Sequence, residues 1–203
     1  MENGSYSVRR RPLDGRTAEE ILYKDDRYIG ANVLDWSPDG KYLSIDLTTK
    51  EGTYSNWILP LEGDRKPFRP PAMSRASSSI FDGLFSPDGR WIAYFSYETG
   101  RPEVYVVPPI AEGAKYQVST SGGWLPRFTH NHEFYFLTMG NRLMEAQLAD
   151  QANFHVDSIR ALFQFDFPNF PSPLWDVSAD GQRFVVLAAD HTKSASVTLL
   201  TNW

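Results

Sequence analysis

Apolar residues in this chain fall in short runs separated by polar turns, and no segment sustains a 3.6-residue apolar period over helical length. The best short helical candidate, residues 17–23, reads as a loop leading into a strand. The runs have a larger order. Three segments share one pattern: an aromatic or apolar lead, a Ser-x-Asp-Gly turn, and an apolar-rich strand. They centre on Ser37-Pro38-Asp39-Gly40, Ser86-Pro87-Asp88-Gly89 and Ser178-Ala179-Asp180-Gly181. A degenerate copy, 126–136, has Asn131-His132 where the others have Asp-Gly. Counted between these turn positions, the copies lie about 49, 43 and 49 residues apart, the length of one four-stranded propeller blade.

The turn has a local physical reading. Pro presets φ, Asp bonds nearby backbone, and Gly takes the positive φ that closes the hairpin. A third strand is expected at 55–60 and 103–108. A shorter fourth is expected at 66–69 and 115–119. One such meander cannot bury both of its faces, so the copies must stack. The expected fold is all-β: a β-propeller of four-stranded antiparallel blades, about four of them, plus two extra N-terminal strands at 6–11 and 20–24. Blade cores are expected at about 33–70, 82–120, 124–165 and 173–203, with 1–30 holding strands of an incomplete blade. The last blade has strands at 174–178, 183–188 and 197–203. An open arc of about four and a half blades would expose two blade faces and an unpaired strand edge. Two closures follow: the N-terminal strands dock on the last blade, or two chains join through their open blades. The second, a homodimer, is preferred.

Composition narrows the class. The hydrophobic fraction of 41% and aromatic fraction of 14% supply a core and favour strands. A net charge of −5 argues against a nucleic-acid partner, and Arg9-Arg10-Arg11 reads as a solvated strand face. With no cysteine, thiol nucleophiles and Cys-ligated zinc are excluded. No apolar run approaches the roughly 18 residues that span a bilayer, so no membrane insertion by this chain is expected. The first residues lack a signal-peptide core.

These repeats resemble the WD40-like, TolB-type propeller family. The order of features is similar to the C-terminal extracytoplasmic propellers of bacterial membrane-anchored serine/threonine kinases. The matching stretches are 36–42, 59–68, 85–107, 115–127, 143–144, 163–165, 176–184 and 197–203. The resemblance implies a propeller fold and an extracytoplasmic setting, as part of a larger protein. The chain itself carries no kinase signature; Asp166-Phe167-Pro168 does not substitute for Asp-Phe-Gly.

Candidate chemistry is sparse. His130 and His132 flank Asn131 in an expected solvated turn, with no third metal ligand evident. His155 and His191 are isolated. Asp39, Asp88 and Asp180 recur at equivalent positions, where calcium is an alternative to an Asx-type turn role. The blade-start aromatics Trp36, Phe85, Trp124, Phe128 and Trp175 are expected to form inter-blade core rather than a stacking platform. No Gly-x-Ser-x-Gly elbow exists. No catalytic, cofactor or metal residue is assigned and no cofactor is expected. The chain is expected not to be an enzyme but a scaffold binding protein, peptide or small-molecule partners. The alternative is an enzyme with a channel-mouth site of lyase or glycosidase type.

Overall fold

In the computed structural model, residues 6–14, 16–73, 79–130, 133–150, 154–165, 175–188 and 196–201 are described. Every strand pairing is antiparallel and follows chain order. A two-stranded sheet, β1 (Ser7–Arg10) and β2 (Glu20–Lys24), comes first. A three-stranded sheet follows: β3 (Tyr28–Trp36), β4 (Tyr42–Thr49) and β5 (Tyr54–Pro60). Next comes a four-stranded sheet of β6 (Ile80–Phe85), β7 (Ile92–Ser96), β8 (Glu103–Val107) and β9 (Tyr116–Gln117). A second four-stranded sheet holds β10 (Trp124–Phe128), β11 (Glu133–Leu137), β12 (Arg142–Asp150) and β13 (His155–Gln164). Last are β14 (Trp175–Val177), β15 (Arg183–Ala188) and β16 (Ser196–Thr201). We number the sheets from β3–β5 as first to fourth. The chain is all-β, and its meanders are those of a propeller.

The repeated turn explains the repeated hairpin. Gly40, Gly89 and Gly181 have φ of 74°, 72° and 70°, and each donates its N–H to the Ser carbonyl three residues back at 2.8 Å. Asp39 Oδ1 accepts from Ser37 Oγ and from the Lys41 N–H; Asp88 and Asp180 repeat the arrangement. The Ser hydroxyl in turn accepts the N–H five residues on, at Tyr42, Trp91 and Arg183. The three aspartates therefore serve as turn ligands, as their spacing suggests. In the degenerate copy the hairpin is one residue shorter: Thr129 N–H reaches the Glu133 carbonyl, whereas Ser86 N–H reaches Trp91. His132 lies outside the described residues.

One expected strand is absent. Residues 66–69 form no fourth strand on the first sheet; only Phe68 bridges Ile58. Pro67 and Pro70 bracket Phe68, and each removes an N–H that a longer ladder needs.

The sheets stack face to face. Strand β7 is buried along its whole length. Ile92 and Tyr94 enter a core with Ile58 and Phe85. Ala93 and Phe95 point the other way, into a core with Phe134 and Phe136. A continuous apolar run here is a strand with two covered faces, and the alternation lies in which neighbour each residue meets. The first sheet is only half covered on its outer side. Val8 and Leu22 of the β1–β2 pair pack on Leu43, Ile45 and Leu59. The inner strand beside them leaves Val33 55% and Trp36 49% exposed.

Candidate functional site

The inner strands β3, β6, β10 and β14 converge on one cleft of about 500 Å³, walled by Asp35, Trp36, Phe85, Arg127, His130 and Asp176 among others. Three of these strands are bulged. The register slips between Val33 and Asp35, between Phe81 and Leu84, and between Trp124 and Arg127. Asp82 and Leu125, equivalent bulge residues, have φ of 56° and 50°. A bulge re-aims the side chains after it, and here those include Asp35 and Arg127.

Asp35 joins the first and second sheets. Its Oδ2 accepts the Phe85 N–H across the seam at 2.8 Å, and its Oδ1 accepts the Trp36 N–H at 2.8 Å. Burial pushes its carboxyl above the ordinary value despite these bonds. Asp176 repeats the local half of this pattern with the Val177 N–H at 2.9 Å. The Arg127 guanidinium lies 3.7 Å from Asp176, stacks over Trp175 at 5.6 Å, and donates to the Pro126 carbonyl at 2.7 Å.

Behind the cleft, the seam between β4–β5 and β6 is polar. Asn56 is fully buried. Its Nδ2 donates to Ser44 Oγ at 2.9 Å, the Ile45 carbonyl at 3.3 Å and Asp46 Oδ1 at 3.2 Å. Three acceptors fix the amide orientation and turn Oδ1 towards β6, where a Cβ on Gly83 would come within 2.3 Å of it. Among the described residues, neither Asn56 Oδ1 nor Asp82 Oδ2 has a donor. Burial pushes Asp46 up to about 6, and the nearby Asp82 carboxylate adds to the rise. Burial raises Asp82 as well, opposed by Arg127.

A smaller cavity of about 190 Å³ lies between the third and fourth sheets. Its polar groups engage one another. Arg160 donates twice to Glu145 Oε2 at 2.9 and 2.7 Å, and the Tyr135 hydroxyl donates to Glu133 Oε2 at 2.9 Å.

Of the four histidines, His130 and His155 fall among the described residues. His130 is exposed at the cleft rim, with its N–H on the Ala179 carbonyl at 3.0 Å. His155 is exposed, 3.7 Å from Asp157. His191 lies outside the described residues. Phe85 and Trp175 are inter-sheet core, and Trp124 and Phe128 pack against it. Trp36 is a correction: it is exposed at the cleft, because β1–β2 covers only the outer part of the first sheet. Asp35, Asp82 and Arg127 were not singled out in the sequence, since no local pattern marks a residue that follows a bulge.

No family model matches the chain. The Tol-Pal system protein TolB of Syntrophus aciditrophicus (strain SB) is 45% identical over 42 residues, which are 21% of this chain and 9% of that protein. The crystal structure of TolB from Acinetobacter baumannii superposes with a TM-score of 0.67 at 17% identity, covering 96% of this chain and 46% of that one. The fold is that of a TolB-type β-propeller. This chain spans less than half of that solved TolB and under a tenth of the curated one. The same propeller fold also occurs in enzymes. A provisional 6-phosphogluconolactonase from Bacteroides uniformis matches with a TM-score of 0.56 at 14% identity, over 99% of this chain and 61% of that one. Prolyl oligopeptidase B from Galerina marginata matches with a TM-score of 0.56 at 11% identity, over 97% of this chain and 30% of that one. These neighbours overturn the expectation that the chain is not an enzyme: a TolB-type propeller and a missing motif do not exclude catalysis.

Proposed function

We propose that this chain is the recognition part of a larger extracytoplasmic protein, and that it holds a protein or peptide partner in the inner-strand cleft. The observation that carries the reading is the convergence of four inner strands on one cleft with an exposed indole at its rim. Exposed aromatics at concave sites anchor partners, because they bury much area at little entropic cost. The resemblance to kinase-attached propellers supports the extracytoplasmic setting. A second copy of the chain is a partner within the same reading, since Val33 and Trp36 leave the first sheet partly uncovered. Light scattering at micromolar concentration reads that case.

The test is selection from a displayed random peptide library. Selected peptides should lose at least about tenfold in affinity with Trp36→Ala, a typical anchor loss of more than 1 kcal/mol. No enrichment, or binding indifferent to both Trp36→Ala and Arg127→Ala, overturns the reading.

A second reading is chemistry at this cleft, favoured by His130, Asp35, Asp176 and Arg127 lining one cavity. Turnover of a sugar lactone that vanishes with His130→Ala and survives repurification would establish it.

A further inference from the structure

Acceptors outnumber donors around the inner-strand cleft. Asp35 and Asp176 line it, and Asp82 lies two residues before Leu84, another lining residue, on the same strand. Against the two lining carboxylates the cleft sets one guanidinium, Arg127, whose charge also reaches Asp82 behind the wall. That guanidinium is already engaged by Asp176, the Trp175 ring and the Pro126 carbonyl. The deeper acceptors have nothing. Among the described residues, Asp82 Oδ2 is buried without a donor, and so is Oδ1 of the fully buried Asn56, turned towards the same strand. Two orphaned acceptors in one seam are costly, because each has given up its hydrogen bond to water without replacing it. Asn56 cannot relieve the cost by flipping its amide, because its Nδ2 already serves Ser44, Ile45 and Asp46.

What such a place lacks is a cation with N–H donors. At the rim, Trp36 presents an indole 49% exposed beside Asp35, and a cation over that ring gains further attraction. A cavity of about 500 Å³ admits a long side chain.

We propose that the cleft selects a cationic side chain, an arginine or lysine of the bound peptide, whose head passes Trp36 and pairs with Asp82. This rests on the reading of the cleft as the binding site, and it names the chemistry taken there. Anionic peptides are disfavoured, because they would meet Asp35 and Asp176 with Arg127 already occupied.

The experiment starts from the peptide selection and asks about charge. The selected pool should be enriched in Arg or Lys at one position. Capped synthetic peptides differing only there, as Arg, norleucine or Glu, are then titrated by fluorescence anisotropy. The Arg peptide should bind at least about tenfold tighter than the norleucine one, with an advantage that shrinks as salt rises. Asp82→Asn keeps the side-chain size and should erase that advantage while leaving the norleucine peptide unchanged. Glu133→Gln, in the other seam, should change neither. Thermal denaturation of each variant shows that it is folded. A pool with no basic position, or an Arg advantage intact in Asp82→Asn, overturns the cationic selection while the cleft remains a peptide site. A pool that binds independently of Trp36 and Arg127 overturns both.

Discussion

Between pH 7 and pH 5 the buried carboxyl of Asp46 should make this fold more stable as the solution becomes more acidic. The group is 7% exposed, so solvent screening does little for it. In the folded chain its pKa is pushed up to about 6 from 3.8, first by burial, then by the Asp82 charge, against the Asn56 hydrogen bond. A carboxyl raised on folding binds its proton more tightly in the native state. Its ionisation therefore destabilises the fold as pH climbs through about 6. The full shift of about two units corresponds to about 3 kcal/mol at 1.36 kcal/mol per unit. Going from pH 7 to pH 5 recovers about 1.3 kcal/mol of it, which for a chain of this size is a rise of about 3–5 °C in midpoint. Asp82, also raised, acts in the same direction. Carboxylates held low, such as Asp25 beside Arg27 and Asp88 beside Ser86 and Arg90, stay ionised in this window and lose their contribution only in stronger acid. Urea denaturation at pH 5, 6 and 7, on wild type and Asp46→Asn, isolates the group. The variant can still accept from Asn56, carries no charge, and should be more stable than wild type at pH 7 by up to about 3 kcal/mol. Its profile should be flatter. Parallel pH profiles for the two proteins would refute the reasoning.

Four further substitutions test the turns and seams. Gly40→Val and Gly89→Val should each cost about 1–3 kcal/mol through positive-φ strain. Gly181→Val should cost a similar amount, because the Glu133 carboxylate its Cβ would meet is the end of a flexible side chain that can move aside. Midpoints unchanged from wild type for all three variants in a thermal melt would defeat this. Glu103 is 1% exposed and accepts from Arg101 at 2.7 Å, from the Gly122 N–H at 3.1 Å and from Ser119. Glu103→Ala leaves those donors behind and should cost about 3 kcal/mol in denaturant titration; a loss under 1 kcal/mol would show the bonds to be dispensable.

The turns were legible in the sequence because everything they need lies within six residues: the hydroxyl of Ser37, the carboxylate of Asp39 and the freedom of Gly40. Strand β15 was legible for the same reason, starting as it does from its turn. The missing fourth strand of the first sheet was signalled by Pro67 and Pro70, but the repeat pattern outweighed them. The cleft was not legible. Asp35 finds Phe85 fifty residues away, and Asn56 finds its unmet need opposite Gly83. A polar residue on a strand reads as a solvent-facing one until a second sheet closes over it. Trp36 was misread in the opposite sense, since nothing local says that the sheet beside it stops at two strands.

Strand β7 carries a different lesson. Both of its faces are buried, so a one-residue slip would still bury every side chain. Hydrophobicity thus holds almost no information about its register. A slipped strand would instead deliver Ala93 and Phe95 to the space shaped by Ile92 and Tyr94, a mismatch of volume. The turn at Ser86–Gly89, where Trp91 N–H meets Ser86 Oγ at 3.0 Å, sets the phase before that mismatch is tested. In this fold the small polar letters of the turn act as the reading frame, and the large apolar ones are the text it keeps in step.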